Sequence, residues 1–182
     1  PEFPQLEEQV GLAVEEEQVV GVRLLPALHR FELCTDRTLE AVRLASTNGL
    51  PVNVAARVFD GRVAPRSIVQ TDVDKGDLTA FLEQTKGTPV ILSMFYFGDL
   101  STLQVDWGQL DHVYLDLGCS KPSSVAFDSL ASWFPVERVL FGTGAPYYYW
   151  GGDRLSLEAS RLTPGEQAAI LGGNATEVFQ WG

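Results

Sequence analysis

Short apolar runs alternate with amphipathic stretches along this chain, and the alternation predicts its architecture. Leu6, Val10, Ala13 and Val14 recur at helical spacing, so Gln5 to Gln18 reads as a helix with one apolar face. Val19 to Leu25 is a β-branched run stopped by Pro26, the pattern of a buried strand. Thr35 or Asp36 caps a helix that carries Leu39, Val42 and Ala45 inward and ends at Asn48-Gly49. Pro51 to Val58 predicts a second strand, Asp77 to Lys86 a helix closed by Gly87, and Val90 to Phe97 a third strand. An irregular segment, Asp99 to Asp111, leads to a fourth strand at Val113 to Leu117. Ser123 or Ser124 opens a helix with Val125, Leu130 and Trp133, and Arg138 to Phe141 is the fifth strand. Thr163-Pro164 starts a helix over Gly165 to Leu171, which Gly172-Gly173 stops before Asn174 caps a last turn carrying Val178 and Phe179. Strands alternating with helices imply βαβ units and a parallel sheet, hence the α/β class.

Composition sets the scale. A chain of 182 residues with 45% hydrophobic content suits a single domain over residues 1–182. A complete eightfold α/β barrel typically takes about 250 residues, so a partial one is the better fit. The net charge of -11 argues against nucleic acid, whose phosphates need clustered Lys and Arg. No run approaches the roughly 18 apolar residues of a membrane span, and no basic apolar leader is visible, so the expectation is a soluble, cytoplasmic protein without a membrane partner. Cys34 and Cys119 form no CxxC and read as free thiols. Gly142-Thr143-Gly144 lacks the third glycine of a dinucleotide fingerprint. Cys119 reads as a small buried hydrophobe rather than a nucleophile partnered by His112 or His29.

Several islands then fall in a telling order. They are Gly21 to Pro26 with His29 beyond it, Leu50 to Arg57, Asp60-Gly61-Arg62 with Ala64-Pro65, Val113 to Asp116, and Phe141 to Pro146 with Gly172-Gly173-Asn174-Ala175. Together they resemble the amidohydrolase-related metal-dependent hydrolases of the amidohydrolase 2 type. The resemblance covers nearly the whole chain and implies a partial TIM-barrel-like fold. About five βα units would correspond to strands four to eight of a (β/α)8 barrel, with the N-terminal units lacking. In that family the fifth strand supplies a metal-binding histidine where this chain has Ala55, and the eighth an aspartate where it has Gly144. The family's His-x-His pair occurs nowhere in the sequence. Hydrolysis of this type needs a metal held by nitrogen and carboxylate ligands, which lowers its bound water to a pKa of about 7. Alanine and glycine have no such ligands. The expectation is therefore no catalytic residue, no metal ligand and no cofactor at the customary place. Zinc or another divalent metal enters only under the alternative of a divergent hydrolase or decarboxylase with a relocated or partly missing site using Asp60, Asp116 or residues of the lacking N-terminal segment.

What remains is a set of polar residues at the strand ends, where barrels of this kind bind ligands. Arg23, Asn53, Arg57, Asp116 and Thr143 are the candidate pocket residues, with His29 in a neighbouring loop. Arg57 and Asp116 either satisfy each other or leave Arg57 to hold a small anion or carboxylate together with Arg23. Tyr147-Tyr148-Tyr149-Trp150 reads as packing over the mouth or along an open edge. Unpaired outer strands predict a homodimer or pairing with an N-terminal segment. The preferred function is a non-catalytic amidohydrolase-like domain that binds a small anionic molecule or serves in assembly. A structural interaction module is the third possibility.

Overall fold

The computed structural model describes residues 5–15, 19–59, 65, 67, 69, 71–118, 124–144 and 149–180. Among them, five parallel strands form one sheet in the order β1-β2-β3-β4-β5. These are β1 (Val22–Leu24), β2 (Val52–Ala55), β3 (Val90–Ser93), β4 (Val113–Asp116) and β5 (Val139–Leu140). Strand order equals chain order, and each neighbouring pair is joined through helical segments, the signature of successive βα units. The architecture is α/β, a partial TIM-barrel-like fold.

Helices pack around this sheet, most of the buried helical residues on one face and α9 against the other. They are α1 (Leu6–Glu15), α2 (Pro26–His29), α3 (Asp36–Thr47), α4 (Lys75–Gln84), α5 (Phe97–Ser101), α6 (Ser124–Leu130), α7 (Trp150–Glu158), α8 (Pro164–Ala168) and α9 (Asn174–Val178). Thr35 caps α3 by accepting from Thr38 N, as the sequence predicts, and Asp74 caps α4 from Asp77 N. The Thr163 hydroxyl and the Glu166 carboxylate form a reciprocal capping box on α8, behind Pro164. Asp77 does further work, since its carboxylate accepts from Leu33 N at 2.6 Å and Cys34 N at 2.8 Å and ties the approach to α3 onto α4.

Register explains why the two sheet faces differ. Val22, Val52, Val90 and Val113 stand side by side, as do Leu24, Val54, Leu92 and Leu115. Leu24 and all of these β2–β4 residues are buried in the main core with Leu82, Phe81, Phe127 and Leu130 from the helices. Alternation sends Arg23, Asn53, Ile91 and Tyr114 to the opposite face, followed by Ala55, Ser93 and Asp116 nearer the strand ends. In a closed barrel that second face would be the lumen.

Several sequence expectations need correction. The strands are shorter than their apolar runs, because the flanking residues are spent on turns. Pro26 both ends the first run and opens α2 at its first turn. The third run stops at Ser93 because Met94 turns into the left-handed region at φ 60°, and its supposed last residues start α5 instead. Trp150–Glu158 is helical, a segment with few apolar residues and two glycines that the periodicity left unassigned. The helix that starts at Pro164 does break at the glycines, since Gly172 leaves the helical region at φ 179° and ψ -25°. The break is a kink within the wide turn Ala169–Gly173, and α9 starts straight after it with Asn174 as its first residue and no side-chain cap. The Asn174 amide instead donates to the carbonyls of Val136 at 2.9 Å and Val139 at 2.8 Å, clamping α9 to β5.

The outer strands, β1 and β5, have no further strand beside them among the described residues. The end of β5 is covered, because Phe141 N donates to the Ile170 carbonyl of the π turn. On the outer side of β1 no strand is paired among the described residues. Tyr149 and Trp150 do not pack down, being 82% and 48% exposed. Tyr147, Tyr148, Ala145-Pro146, Cys119, Ser123 and Asp60 to Ala64 lie outside the described residues.

Candidate functional site at the strand ends

The inner face of the sheet divides along its length. Toward the N-terminal ends it is apolar, with Ile91, Leu140 and half-buried Tyr114 packed under Val178, Ala175 and Phe179. Toward the C-terminal ends it turns polar, and there the predicted residues gather. Arg23 reaches across β2 to the Ser93 hydroxyl, with 3.5 Å between Nη2 and Oγ, the outer limit of a hydrogen bond. Ser93 in turn donates to Asn53 Oδ1 at 2.8 Å. Ser93 is buried while Arg23 is exposed, so the guanidinium presents most of its donors to solvent. Sequence reasoning missed Ser93; its place two residues along the strand from Ile91 was the available signal.

Asp116 ends β4 inside a cradle of glycines. Its Oδ1 accepts from Gly118 N at 2.6 Å. A Cβ on Gly142 would stand within the Asp116 carboxylate itself, so the fifth-strand turn passes this closely only because residue 142 has none. Gly144 completes the turn in the left-handed region at φ 62°. Burial pushes the Asp116 carboxyl above the usual carboxylate range, while the Gly118 N–H and the Arg23 charge pull it back. Thr143 is half-buried in the same turn.

Arg57 is committed elsewhere. Its Nη1 donates to the Met94 carbonyl at 2.8 Å, its Nη2 pairs with Asp99 at 3.1 Å, and its guanidinium lies 4.0 Å from the centre of the Tyr96 ring. The expected Arg57–Asp116 pair is not formed. Asp99 wins because it opens α5 directly behind Tyr96, where the same carboxylate also accepts Tyr96 N. Arg57 thereby braces the left-handed residue Met94 rather than facing a ligand. His29 is exposed at the end of α2. Leu25, Ala55, Met94 and Tyr96 form a small apolar cluster beside the polar row.

A metal implied by the resemblance can be tested against these donors. Among the described residues no three His, Cys, Asp or Glu side chains come together. Among the described residues the carboxylate at the strand ends is Asp116, which feels the Arg23 charge, and Ala55 and Gly144 bring no side-chain donor. A divalent ion needs several converging oxygen or nitrogen donors, and a guanidinium beside it opposes binding. The set does not fit such an ion. Among the described residues, no helix is long and apolar enough to cross a membrane.

The open parallel sheet with its site at the strand ends belongs to the TIM-barrel-like α/β proteins, and wider comparison narrows this further. A family model described as Amidohydrolase matches residues 1–181. The chain belongs to that amidohydrolase family. No curated protein matches it. Among solved structures, the 5-carboxyvanillate decarboxylase of Sphingomonas paucimobilis superposes with a TM-score of 0.74 at 9% identity, covering 96% of this chain and 62% of that one. The dihydroxybenzoic acid decarboxylase of Polaromonas sp. JS666, with bound manganese and the inhibitor 2-nitroresorcinol, gives 0.71 at 12% identity, with coverage of 96% and 64%. The 4-oxalomesaconate hydratase of Rhodopseudomonas palustris gives 0.63 at 18% identity, with coverage of 99% and 62%. The chain thus spans less than two thirds of the length of each of these structures.

Proposed function

We propose that the strand ends hold a small carboxylate on an amidohydrolase framework that does not carry out metal-dependent hydrolysis. The observation that carries this reading is the state of Arg23: exposed, loosely bonded to Ser93, and free of any carboxylate partner at ion-pair distance among the described residues. A guanidinium in that position matches a carboxylate geometrically and electrostatically. Asn53 and Ser93 supply polar contacts beside it, and the Leu25, Ala55, Met94 and Tyr96 cluster offers a surface for an apolar ligand body. Ala55 and Gly144 supply no ligand for a metal-bound hydroxide. Benzoate is a suitable probe. It should raise the melting temperature of the protein, and Arg23→Ala should remove that shift. Stoichiometric zinc or manganese in natively purified protein, together with amide or ester hydrolysis, would defeat the reading.

A second reading is favoured by the neighbours, two of which are named decarboxylases. A divergent decarboxylase would use Asp116 and Arg23 at a relocated centre. Release of carbon dioxide from 2,6-dihydroxybenzoate, lost in Asp116→Asn, would select it. Assembly is a third use of the fold: the uncovered side of β1 would pair with a second copy or with an N-terminal segment, and light scattering distinguishes a dimer from a monomer. We place the protein in the cytoplasm on its acidic composition and free Cys34.

A further inference from the structure

Asp116 is a carboxyl group with one described hydrogen bond and no described ion pair, set on the same face as an exposed guanidinium. Such a group has two ways to meet an incoming anion: repel it as a carboxylate, or donate to it as an acid. The glycine cradle decides between them. Gly118 and Gly142 approach the carboxyl with backbone alone and contribute one N–H to Oδ1, and among the described residues no charged side chain bonds to it. The Gly118 N–H and, after it, the Arg23 charge favour ionisation, and a carboxylate bound at Arg23 would cancel the second. Two facing carboxyl groups then share one proton, since both cannot remain ionised at close range.

We infer that a carboxylate bound at Arg23 is also held by the Asp116 carboxyl, which donates its proton to the ligand, so that binding takes up a proton. The inference rests on the carboxylate-binding reading above and specifies how that site recognises its ligand. No bond other than the hydrogen bond is made or broken: the proton comes from solvent, sits on Asp116, and is returned on release. The surrounding groups leave this equilibrium to Asp116. Of the described side chains on this face, β1 contributes Arg23, which stays charged, β2 and β3 contribute the neutral Asn53 and Ser93, and the turn through residue 143 contributes a threonine. Tyr114, lower on β4, has its phenol pushed up by burial and stays neutral. Arg57 and Asp99 neutralise each other.

The test is calorimetric titration of the protein with benzoate between about pH 5.5 and 8, where the ligand stays ionised, in buffers of differing ionisation enthalpy. The expected result is net proton uptake, with affinity falling by up to about tenfold per pH unit above the Asp116 titration. Asp116→Asn should keep Arg23-dependent binding, because the amide also donates, while flattening the pH profile. Benzoate binding by the unaltered protein that is independent of pH and of buffer would overturn the inference and leave the carboxylate site standing. Absence of benzoate binding at every pH, or binding that survives Arg23→Ala, would instead sink the carboxylate site and this inference with it.

Discussion

Two arginines at opposite ends of the sheet show how one fold treats the same side chain in two ways. Arg138, at the N-terminal end of β5, is buried, and both terminal nitrogens of its guanidinium are engaged: Nη1 donates to the carbonyls of Leu110 and Val113, and Nη2 to that of Trp107. Its plane also lies 5.3 Å from the Phe134 ring centre, within the Trp107, Trp133 and Phe134 cluster. Arg23, near the C-terminal end of β1, is exposed and touches one hydroxyl at the limit of bonding distance. Burial with both terminal nitrogens bonded to carbonyls marks a structural cation. Exposure with a single long contact leaves Arg23 to solvent.

Mutations should separate the two ends. Arg138→Ala strands three carbonyls in a buried setting and should cost about 3 kcal/mol of unfolding free energy, read from the urea midpoint. At the upper, C-terminal end of the strands, Gly142→Ala forces a methyl into the space of the Asp116 carboxylate and should cost about 1–3 kcal/mol by the same measure. Back at the lower end, Asn174→Ala removes the bond from α9 to β5 and that to the Val136 turn before it, and about 1–2 kcal/mol should be lost. Arg23→Ala should change stability by less than about 0.5 kcal/mol while abolishing benzoate-induced stabilisation. A large stability loss in Arg23→Ala would erase the distinction between the two arginines.

Histidine 112 sharpens the same contrast by pH. Its Nε2 donates to the Leu82 carbonyl at 3.1 Å and its buried Nδ1 has no partner, with Asp111 3.8 Å away. Burial holds its pKa below the ordinary histidine value, with the Leu82 and Asp111 contacts opposing. The folded state therefore binds fewer protons than the unfolded state just below that ordinary value. Stability should be full above it and should fall as the pH drops through it toward the folded pKa. Asp116 carries the opposite sign: its raised pKa makes ionisation unfavourable in the fold, so its cost appears as pH rises above the ordinary carboxylate range. Urea midpoints at mildly acidic and neutral pH should converge in His112→Gln if the first effect is correctly assigned.

The sheet was largely legible because buried parallel strands write themselves as β-branched runs, and Val52 to Ala55 or Val90 to Ser93 had no competing pattern. The caps at Thr35 and Thr163 were legible because they are local chemistry. Asn174 was misread for the same reason: a short-range rule made it a cap, whereas carbonyls 35 and 38 residues away claim its amide. The site was half legible. Strand alternation placed Arg23, Asn53 and Asp116 on one face, but Arg57 chose Asp99 through a helix at Phe97–Ser101 that no periodicity announced. Nothing in the sequence revealed that Asp116 would lie against Gly142, because a close approach depends on tertiary position rather than on spacing.

The bare Cα at position 142 has a bearing on engineering. Any side chain written there would meet an occupied room, because the Asp116 carboxyl already fills the space under the turn. Redesign of this turn would therefore have to begin by evicting the aspartate.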